Sequence, residues 1–224
     1  MIQAVVFDFD GLILDTETSD YLSWKAVYES FDCELPLATW CENIGSTDFF
    51  NPYTYLEGLL GRPIDRTAVH DQRKKLDLEM LDQLDILPGV DNYLNEARQL
   101  GLKVGIASSS DHKWVDGYLE KFGLTHRFDV VRCRDDVGDV GKPNPAVYLA
   151  AAAALGVAAP QAVALEDSPN GALAARRAGM YCVAVPNQMT QALAFGEVHY
   201  RLQSLADMPL AALLEQIRRL ETRD

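Results

Sequence analysis

The chain has 224 residues, 48% of them hydrophobic and 24% charged, a composition typical of an ordinary globular protein. Its net charge of −13 at pH 7 argues against binding to nucleic acids or to anionic membranes. No apolar run reaches the ~20 residues that a membrane helix needs, and no signal peptide is apparent after Met1, so we expect a cytoplasmic protein. The four cysteines show no CxxC spacing and are expected to be free thiols.

The first predicted strand is followed by two acidic residues. Residues 4–7 form an apolar run typical of a buried parallel strand. Asp8 and Asp10 come next, and their carboxylates share one side because alternate side chains of an extended chain point the same way. Two like charges beside a buried strand repel each other and lose hydration, which favours a hard divalent cation between them. Gly11 then allows the backbone to turn away sharply.

The region after this strand has a helical pattern and contains no convincing strand. Its apolar residues recur at helical spacing from Tyr21 to Phe31 and again from Leu76 to Leu84. We therefore predict a helical domain at residues 16–84, inserted into an α/β domain formed by residues 1–15 and 85–224.

Strands and helices are predicted to alternate through the rest of the chain. Strands are predicted at residues 103–107, 129–133, 162–165 and 181–185, and helices at residues 92–100, 111–122, 145–155, 171–178 and 209–220. Within the third of these helices, Pro145 is expected at the first helical position. The alternation indicates a doubly wound, Rossmann-like parallel sheet with helices on both faces. Ligands of such sheets bind beyond the carboxyl ends of the strands.

Further polar residues are predicted to reach the same edge of the sheet. Ser108-Ser109-Ser110 follow a strand and offer hydroxyl and N–H groups to an anion. Lys142 is the only cation of a proline-flanked loop and could pair with a phosphate and with Asp8. Glu166-Asp167 follow another strand, and adjacent acids face opposite sides of an extended chain, so one could contact a metal. Each cluster alone is compatible with a helix cap or a solvated loop; their placement at successive strand ends favours one shared site.

The chain resembles the haloacid dehalogenase-like hydrolase superfamily over its whole predicted α/β core. The four motifs of that superfamily have matches at Asp8-Phe9-Asp10-Gly11, Ser108, Lys142-Pro143 and Glu166-Asp167. The insert is similar to the helical cap of the β-phosphoglucomutase-like branch, and Asp15-Thr16-Glu17 is similar to the start of that cap. The resemblance implies a Rossmann-like core, a helical cap and phosphoryl transfer through a covalent carboxylate.

The resemblance also implies a role for each catalytic residue. Asp8 is the expected nucleophile, which would form an aspartyl phosphate. Asp10 is the expected general acid for the leaving group and then the base for the attacking water, so its surroundings should favour the neutral form. The Ser108 hydroxyl, the Ser109 backbone N–H and Lys142 would hold the transferring phosphoryl oxygens.

The implied cofactor is Mg²⁺. By the same resemblance its protein ligands are the Asp8 carboxylate, the backbone carbonyl of Asp10 and the Asp167 carboxylate. Glu166 would lie behind them and reach the metal through water. The cation would neutralise the repulsion between Asp8 and a phosphate.

The cap is expected to close over the site and to select the substrate. Its hinges are predicted near residues 14–16 and 84–88. The candidate specificity residues are residues 43–48 and the basic patch Arg73-Lys74-Lys75, with Asn43, Ser46, Lys74 and Lys75 singled out. The aromatic residues expected in the core of the cap are Trp40, Phe49, Phe50, Tyr53 and Tyr55.

These features predict a Mg²⁺-dependent phosphatase of small phosphorylated metabolites, such as sugar phosphates, acting as a monomer. The main alternative is a β-phosphoglucomutase-like mutase, which would need a cap cation for a second phosphate. Residues 44–50 contain neither Arg nor Lys, and Asp20 stands where those mutases carry a histidine. A dehalogenase would lack the second acid, Asp10. A non-enzymatic binding module on this fold is the remaining alternative.

Overall fold

The computed structural model describes residues 1–41 and 51–221. The strands are β1 (Ala4–Phe7), β2 (Lys103–Ala107), β3 (Val130–Arg132), β4 (Ala162–Glu166), β5 (Tyr181–Ala184) and β6 (Tyr200–Arg201). The helices before β2 are α1 (Thr16–Glu29), α2 (Leu37–Cys41), α3 (Pro52–Leu60), α4 (Arg66–Leu81) and α5 (Val90–Gln99). The helices after β2 are α6 (His112–Lys121), α7 (Ala146–Leu155), α8 (Pro169–Arg177) and α9 (Leu210–Glu221).

The strands of the described residues form one parallel sheet in the order β3-β2-β1-β4-β5-β6. β1 lies inside it, with Ala4 beside Lys103 of β2 and beside Ala162 of β4. The doubly wound fold predicted from the alternation is therefore confirmed. The two-residue strand β6 was not predicted, because two residues are too few to show a periodic pattern. The direction of winding reverses between β1 and β4, and this is where such sheets bind ligands.

The helix starts differ from the sequence-based bounds by one or two residues. α5 starts at Val90, two residues earlier than predicted, after Gly89 in a left-handed conformation. The prediction for α7 was wrong by one residue, because Pro145 is its N-cap and Ala146 is its first residue. α8 starts two residues early because the Ser168 hydroxyl caps it by accepting a hydrogen bond from a backbone N–H of the first turn.

Apolar side chains cover both faces of the sheet. Val5 and Phe7 of β1 belong to one buried cluster, which includes residues of α5, α6 and α9. Ala4 and Val6 point the other way and pack in a second cluster with residues of α7 and α8. Burial of each large apolar side chain stabilises the fold by ~1.5–3 kcal/mol. This two-sided packing holds the end of β1, and hence the two acids after it, in a fixed position.

The helices α1 to α4 have an apolar cluster of their own. Trp24, Val27 and Tyr28 lie at its centre, and the Tyr28 hydroxyl donates to the Pro52 carbonyl at 2.6 Å. Of the aromatic residues predicted in this core, Trp40 is buried, and Tyr53 and Tyr55 pack against the cluster. Phe49 and Phe50 lie outside the described residues.

Two neighbouring chain segments join α1–α4 to the sheet. Leu14 bridges to Ile86, and the Leu87 N–H donates to the Ile13 carbonyl at 2.9 Å. The hinges predicted near residues 14–16 and 84–88 fall in these two segments, and movement there stays a prediction. A further contact comes from the loop after β5, whose Met189 joins the apolar cluster of the helices.

The cysteines are free, as predicted, with Cys33 half-buried and the other three buried. Among the described residues, the helices are all too short or too polar to cross a membrane.

Candidate active site

A cavity of about 750 Å³ lies between the sheet edge and the helices α1 and α4. On the side of the sheet it is lined by Asp8, Asp10, Ser109, Ser110, Lys142, Asp167 and Ser168. On the side of the helices it is lined by Thr16, Glu17, Asp20, Trp24, Trp40, Arg73 and Asp77. The polar residues predicted at successive strand ends therefore meet in one place, with a wall of helical residues opposite them.

Lys142 joins two of the predicted acids. Its ammonium lies 2.7 Å from Asp8 Oδ1 and 2.6 Å from Glu166 Oε1, and all three side chains are buried. The Phe9 backbone N–H also donates to Asp8 Oδ1 at 2.7 Å. Burial alone would lower the pKa of Lys142, but the carboxylates of Asp8 and Glu166 outweigh it and raise that pKa. Lys142 therefore stays charged and fixes the orientation of Asp8.

Both oxygens of Glu166 accept hydrogen bonds. Besides Lys142, Oε1 receives the Tyr148 hydroxyl at 2.5 Å, and Oε2 receives the Ser168 hydroxyl at 3.4 Å. Gly171 of α8 makes room for this carboxylate, since a Cβ at that position would collide with it. Glu166 is thus turned toward its protein partners.

Asp167 is oriented by a residue from the loop after β5. The Asn187 amide donates to Asp167 Oδ2 at 2.9 Å and to the Gly11 carbonyl at 3.1 Å. Gly11 itself has a positive φ of 76°, and a Cβ there would collide with the Asp167 carboxylate. The turn after β1 and the end of β4 therefore fit together only with glycine at this position.

Asp8, Glu166 and Asp167 form a buried acidic cluster that fits a metal ion. One oxygen from each carboxylate lies within 4.8 Å of the others. Burial, and then the charge of Glu166, raise the pKa of Asp8. Burial, and then the charge of Asp8, likewise raise the pKa of Asp167. Three buried carboxylates against one ammonium leave excess negative charge, and oxygen donors of this kind suit Mg²⁺.

Asp10 is held by four side chains. Its Oδ1 accepts from Thr16 Oγ1 and from Trp114 Nε1, both at 2.8 Å, and its Oδ2 contacts Ser110 Oγ at 2.6 Å and Ser108 Oγ at 3.4 Å. An indole N–H can only donate, so Oδ1 is an acceptor, whereas a serine hydroxyl can donate or accept. A proton on Asp10 is therefore compatible with this geometry at Oδ2, opposite Ser110.

The predicted phosphate-binding serines lie beside this group. The Ser108 side chain is buried, and its hydroxyl accepts the Ser110 N–H at 2.9 Å, which shapes the turn after β2. The Ser109 hydroxyl accepts the Lys142 backbone N–H at 3.2 Å, so the turn after β2 is tied to the lysine loop. Ser109 lines the cavity directly.

The wall formed by α1 and α4 is acidic. Arg73, the cation that α1–α4 contribute to the lining within the described residues, forms ion pairs with Asp20 and, at 2.9 Å, with Asp77. Glu17 also lines the cavity, and burial, followed by the charge of Asp10, raises its pKa to about 8. Burial raises the pKa of Asp20 to about 6, against the opposing effect of Arg73. Arg73 is thus already engaged by carboxylates.

The predicted specificity residues of the cap are placed differently. Of the predicted basic patch, Arg73 lines the cavity, whereas Lys74 and Lys75 are exposed on α4 and are not among the lining residues. Asn43 and Ser46 lie outside the described residues.

Several residues of the site were not found from the sequence. Asn187 follows β5 and could have been found by the same strand-end argument that identified the acids. Tyr148 and Trp114 lie on helices, where an aromatic residue at helical spacing predicts only core packing. Glu17 reaches the cavity because of how α1 and α4 pack together, which no local pattern reveals.

Comparisons with known proteins agree with this geometry. The model of the family described as haloacid dehalogenase-like hydrolase matches residues 5–185. YhcW of Bacillus subtilis (strain 168), provisionally named a phosphatase, is 46% identical over 217 residues, which cover 97% of this chain and 98% of that protein. Hexitol phosphatase B of Escherichia coli O157:H7 is 30% identical over 221 residues, which cover 95% of this chain and 97% of that protein. A crystal structure of β-phosphoglucomutase from Clostridium difficile is similar in fold, with a TM-score of 0.76 at 21% identity, covering 99% of this chain and 100% of that one.

The parallel sheet, and the carboxylates and lysine at its edge, define a Rossmann-like α/β protein with an acidic, lysine-containing site. The chain belongs to the haloacid dehalogenase-like hydrolase family. The family and the enzyme class predicted from the four motifs are thereby confirmed.

Proposed function

We propose that the protein is a Mg²⁺-dependent phosphatase that hydrolyses small phosphorylated metabolites, including sugar phosphates, through an aspartyl phosphate on Asp8. The observation that carries this proposal is the fixed position of Asp8 in the cavity, 2.7 Å from Lys142 and beside Glu166 and Asp167. The two phosphatase names among the relatives agree with it.

Asp8 is the proposed nucleophile. A carboxylate oxygen of Asp8 attacks phosphorus, and the bond from phosphorus to the leaving alkoxide breaks. Water then attacks the aspartyl phosphate, releases phosphate and restores Asp8. Lys142 supplies positive charge beside the attacking carboxylate, and the hydroxyl and N–H groups of Ser108 and Ser109 are suited to the phosphoryl oxygens.

Asp10 is the proposed acid and base. Its proton passes from Oδ2 to the leaving alkoxide in the first step, and the carboxylate takes a proton from water in the second. Trp114 and Thr16 fix Oδ1, which leaves Oδ2 as the oxygen that holds the proton.

We assign Mg²⁺ to the acidic cluster. Asp8, Asp167 and the backbone carbonyl of Asp10 would hold it, with Glu166 behind them because its oxygens are engaged by Lys142, Tyr148 and Ser168. When bound, the ion neutralises the negative charge that Asp8 and a phosphate would otherwise bring together.

Residues 16–84 form the proposed cap, which closes the cavity over the substrate by movement at its two connections. Its described wall carries three carboxyl groups, those of Glu17, Asp20 and Asp77, against the single guanidinium of Arg73. Because Asp20 and Asp77 already engage this guanidinium, the described part of the cap favours a hydroxylated substrate with one phosphate over a bisphosphate, and so a phosphatase over a mutase. The cations Lys113 and Arg134 line the cavity from the α/β domain.

The test is phosphate release from a panel of sugar and polyol phosphates with Mg²⁺. We expect turnover with at least one of them, and loss of that turnover on chelation of the metal. Asp8→Asn should abolish phosphate release while leaving the fold intact, whereas Asp71→Asn, an exposed change on α4, should leave it unchanged. Full turnover by Asp8→Asn would contradict the mechanism.

The same assay separates phosphatase from mutase. The enzyme is incubated with a hexose 1-phosphate and a trace of the corresponding bisphosphate. Free phosphate is the expected product. Isomerised hexose 6-phosphate would show a mutase instead. If no substrate reacted with any divalent metal, the result would favour a non-enzymatic binding module.

A further inference from the structure

Tyr148 is a buried tyrosine on α7 that contacts two groups of the site at once. Its side chain is fully buried. Its hydroxyl donates to Glu166 Oε1 at 2.5 Å. The Lys142 ammonium lies over its ring, 5.1 Å from the ring centroid, close enough for a cation–π contact.

The hydroxyl of Tyr148 and the ammonium of Lys142 donate to the same oxygen. Glu166 Oε1 accepts from both, at 2.5 Å and 2.6 Å, and Lys142 reaches on to Asp8 Oδ1 at 2.7 Å. The carboxylate of Glu166 therefore attracts Lys142 away from Asp8. A second donor at Oε1 spreads the charge of that oxygen and weakens this attraction.

We propose that Tyr148 is a positioning residue of the active site, which holds Glu166 and Lys142 so that the ammonium stays directed at Asp8 and the transferring phosphoryl group. The inference rests on the phosphatase function proposed above. Without the hydroxyl, Oε1 would keep Lys142 as its strong donor, and the ammonium would move toward Glu166. The positive charge available to the phosphoryl group would fall.

The surroundings of the hydroxyl support a donor role rather than simple core packing. Burial, and then the charge of Glu166, raise the pKa of the Tyr148 phenol, so it remains protonated and able to donate. The ring already belongs to the apolar cluster on this face of the sheet, which needs no polar group. The hydroxyl is therefore the part of the side chain that concerns the site.

The central test compares Tyr148→Phe with Tyr93→Phe. Tyr93 is also fully buried, and its hydroxyl donates to the Met208 carbonyl at 2.9 Å in the cluster on the other face of the sheet. Both changes remove one buried hydroxyl and should lower the melting temperature to a similar extent. Only Tyr148→Phe should lower kcat/KM, by about 10- to 100-fold, the range for losing a hydrogen bond to a charged group.

A double-mutant cycle shows whether Tyr148 acts through Glu166. Glu166→Gln is combined with Tyr148→Phe, and kcat/KM is measured for all four proteins. If the hydroxyl works through the carboxylate, its loss should cost much less in the Glu166→Gln variant than in the wild type. Equal losses in both backgrounds would overturn the proposal.

Calorimetry of inorganic phosphate binding in the presence of Mg²⁺ gives a measurement that does not depend on turnover. We expect Tyr148→Phe to weaken it about 10-fold and Tyr93→Phe to leave it unchanged. If Tyr148→Phe bound phosphate as tightly as the wild type and had the same kcat/KM, the positioning role would be overturned while the phosphatase function stayed intact. A wild-type protein that binds phosphate but hydrolyses none of the panel would instead contradict the phosphatase function, and the binding data would still decide on Tyr148.

Discussion

At the scale of single residues, neutral donors orient several carboxylates of the site, beside the charged Lys142 that holds Asp8. Asp10 is held by an indole and three hydroxyls, Asp167 by the Asn187 amide, and Glu166 by the Tyr148 phenol. Such neutral partners fix a carboxylate without adding charge, so the excess negative charge remains available to a cation.

Asn187 illustrates how such a partner is expected to act. Asn187→Ala removes the amide that holds Asp167 Oδ2, and we expect Mg²⁺ affinity to fall ~10- to 100-fold, as for other groups behind metal ligands. Turnover at saturating Mg²⁺ should change much less. The measurement is the dependence of phosphate release on Mg²⁺ concentration.

Gln188→Ala is the matched control for this variant. Gln188 is the exposed neighbour of Asn187, and its amide donates to Thr18 Oγ1 at 3.0 Å, so the substitution removes a side-chain amide from the same turn but leaves the Asn187 amide in place. Its Mg²⁺ affinity should stay near that of the wild type. If both variants lost affinity equally, the effect would belong to the turn and not to the amide.

At the scale of elements, the first turn of α8 carries a strict requirement. Ser168 caps the helix, Pro169 starts it, and Gly171 lies against the Glu166 carboxylate with no room for a Cβ. The sequence-based start at residue 171 missed this cap and this proline, and no local pattern reveals that the glycine faces a buried acid.

Gly171→Ala should therefore displace Glu166. We expect a loss of ~1–3 kcal/mol in the free energy of unfolding from overpacking, together with a fall in kcat as Lys142 follows the displaced carboxylate. Gly58→Ala is the control: Gly58 lies inside α3 with open space around it, and alanine there should stabilise the helix by ~0.5–1 kcal/mol. Chemical unfolding and steady-state kinetics of both variants test this. An active, stable Gly171→Ala protein would contradict the packing argument.

At the scale of the whole molecule, the cavity makes stability depend on pH and on metal. The pKa values of Asp8, Asp167, Glu17 and Asp20 are all raised in the folded protein, to about 8 for Glu17 and about 6 for Asp20. The folded state thus keeps protons that the unfolded state has already lost. The stability that these four groups contribute is fully present below their ordinary pKa values and is lost as pH rises toward 8.

We therefore expect the melting temperature of the metal-free protein to fall between about pH 4.5 and pH 8. In this window Glu17 has already ionised in the unfolded state, with its ordinary pKa of 4.5, but still holds its proton in the folded state, where its pKa is about 8. Mg²⁺ should restore stability, and most strongly at the upper end, because it binds the ionised carboxylates of the folded state. Calorimetry with a chelator and with Mg²⁺ measures both effects.

Glu17→Gln isolates one contribution to this dependence. It removes a group that titrates in the window, so the metal-free fall should be shallower than in the wild type, whereas Glu79→Gln, an exposed change on α4, should keep the wild-type slope. Identical slopes in all three proteins would show that overall charge, and not the cavity, sets the pH dependence.

The fold and the grouping of the candidate catalytic residues were within reach of the sequence. Buried parallel strands leave continuous apolar runs, and parallel strands bring their carboxyl ends to one edge, so local patterns are enough to group Asp8, Asp10, Ser108, Lys142 and Asp167. The strand β6 was missed because its two residues are too few to show a period. The start of α7 was missed because a proline can precede a helix as well as open it.

The wall opposite the acidic cluster was only partly within reach. The basic patch Arg73-Lys74-Lys75 was predicted to face the substrate, but of these three residues Arg73 alone lines the cavity, and its charge is taken up by Asp20 and Asp77. A helix of 3.6 residues per turn presents neighbouring positions to different sides, and only the packing of α4 on α1 decides which one faces the cavity.

The sequence by itself thus determined the α/β family and the candidate catalytic residues, because those depend on local patterns and on the edge that parallel strands share. Only the tertiary structure decided which side chains orient them, as with Tyr148, Trp114 and Asn187, and what charge the helices α1 and α4 present to the cavity. These depend on contacts between residues distant along the chain, and a single sequence carries no record of which distant residues meet.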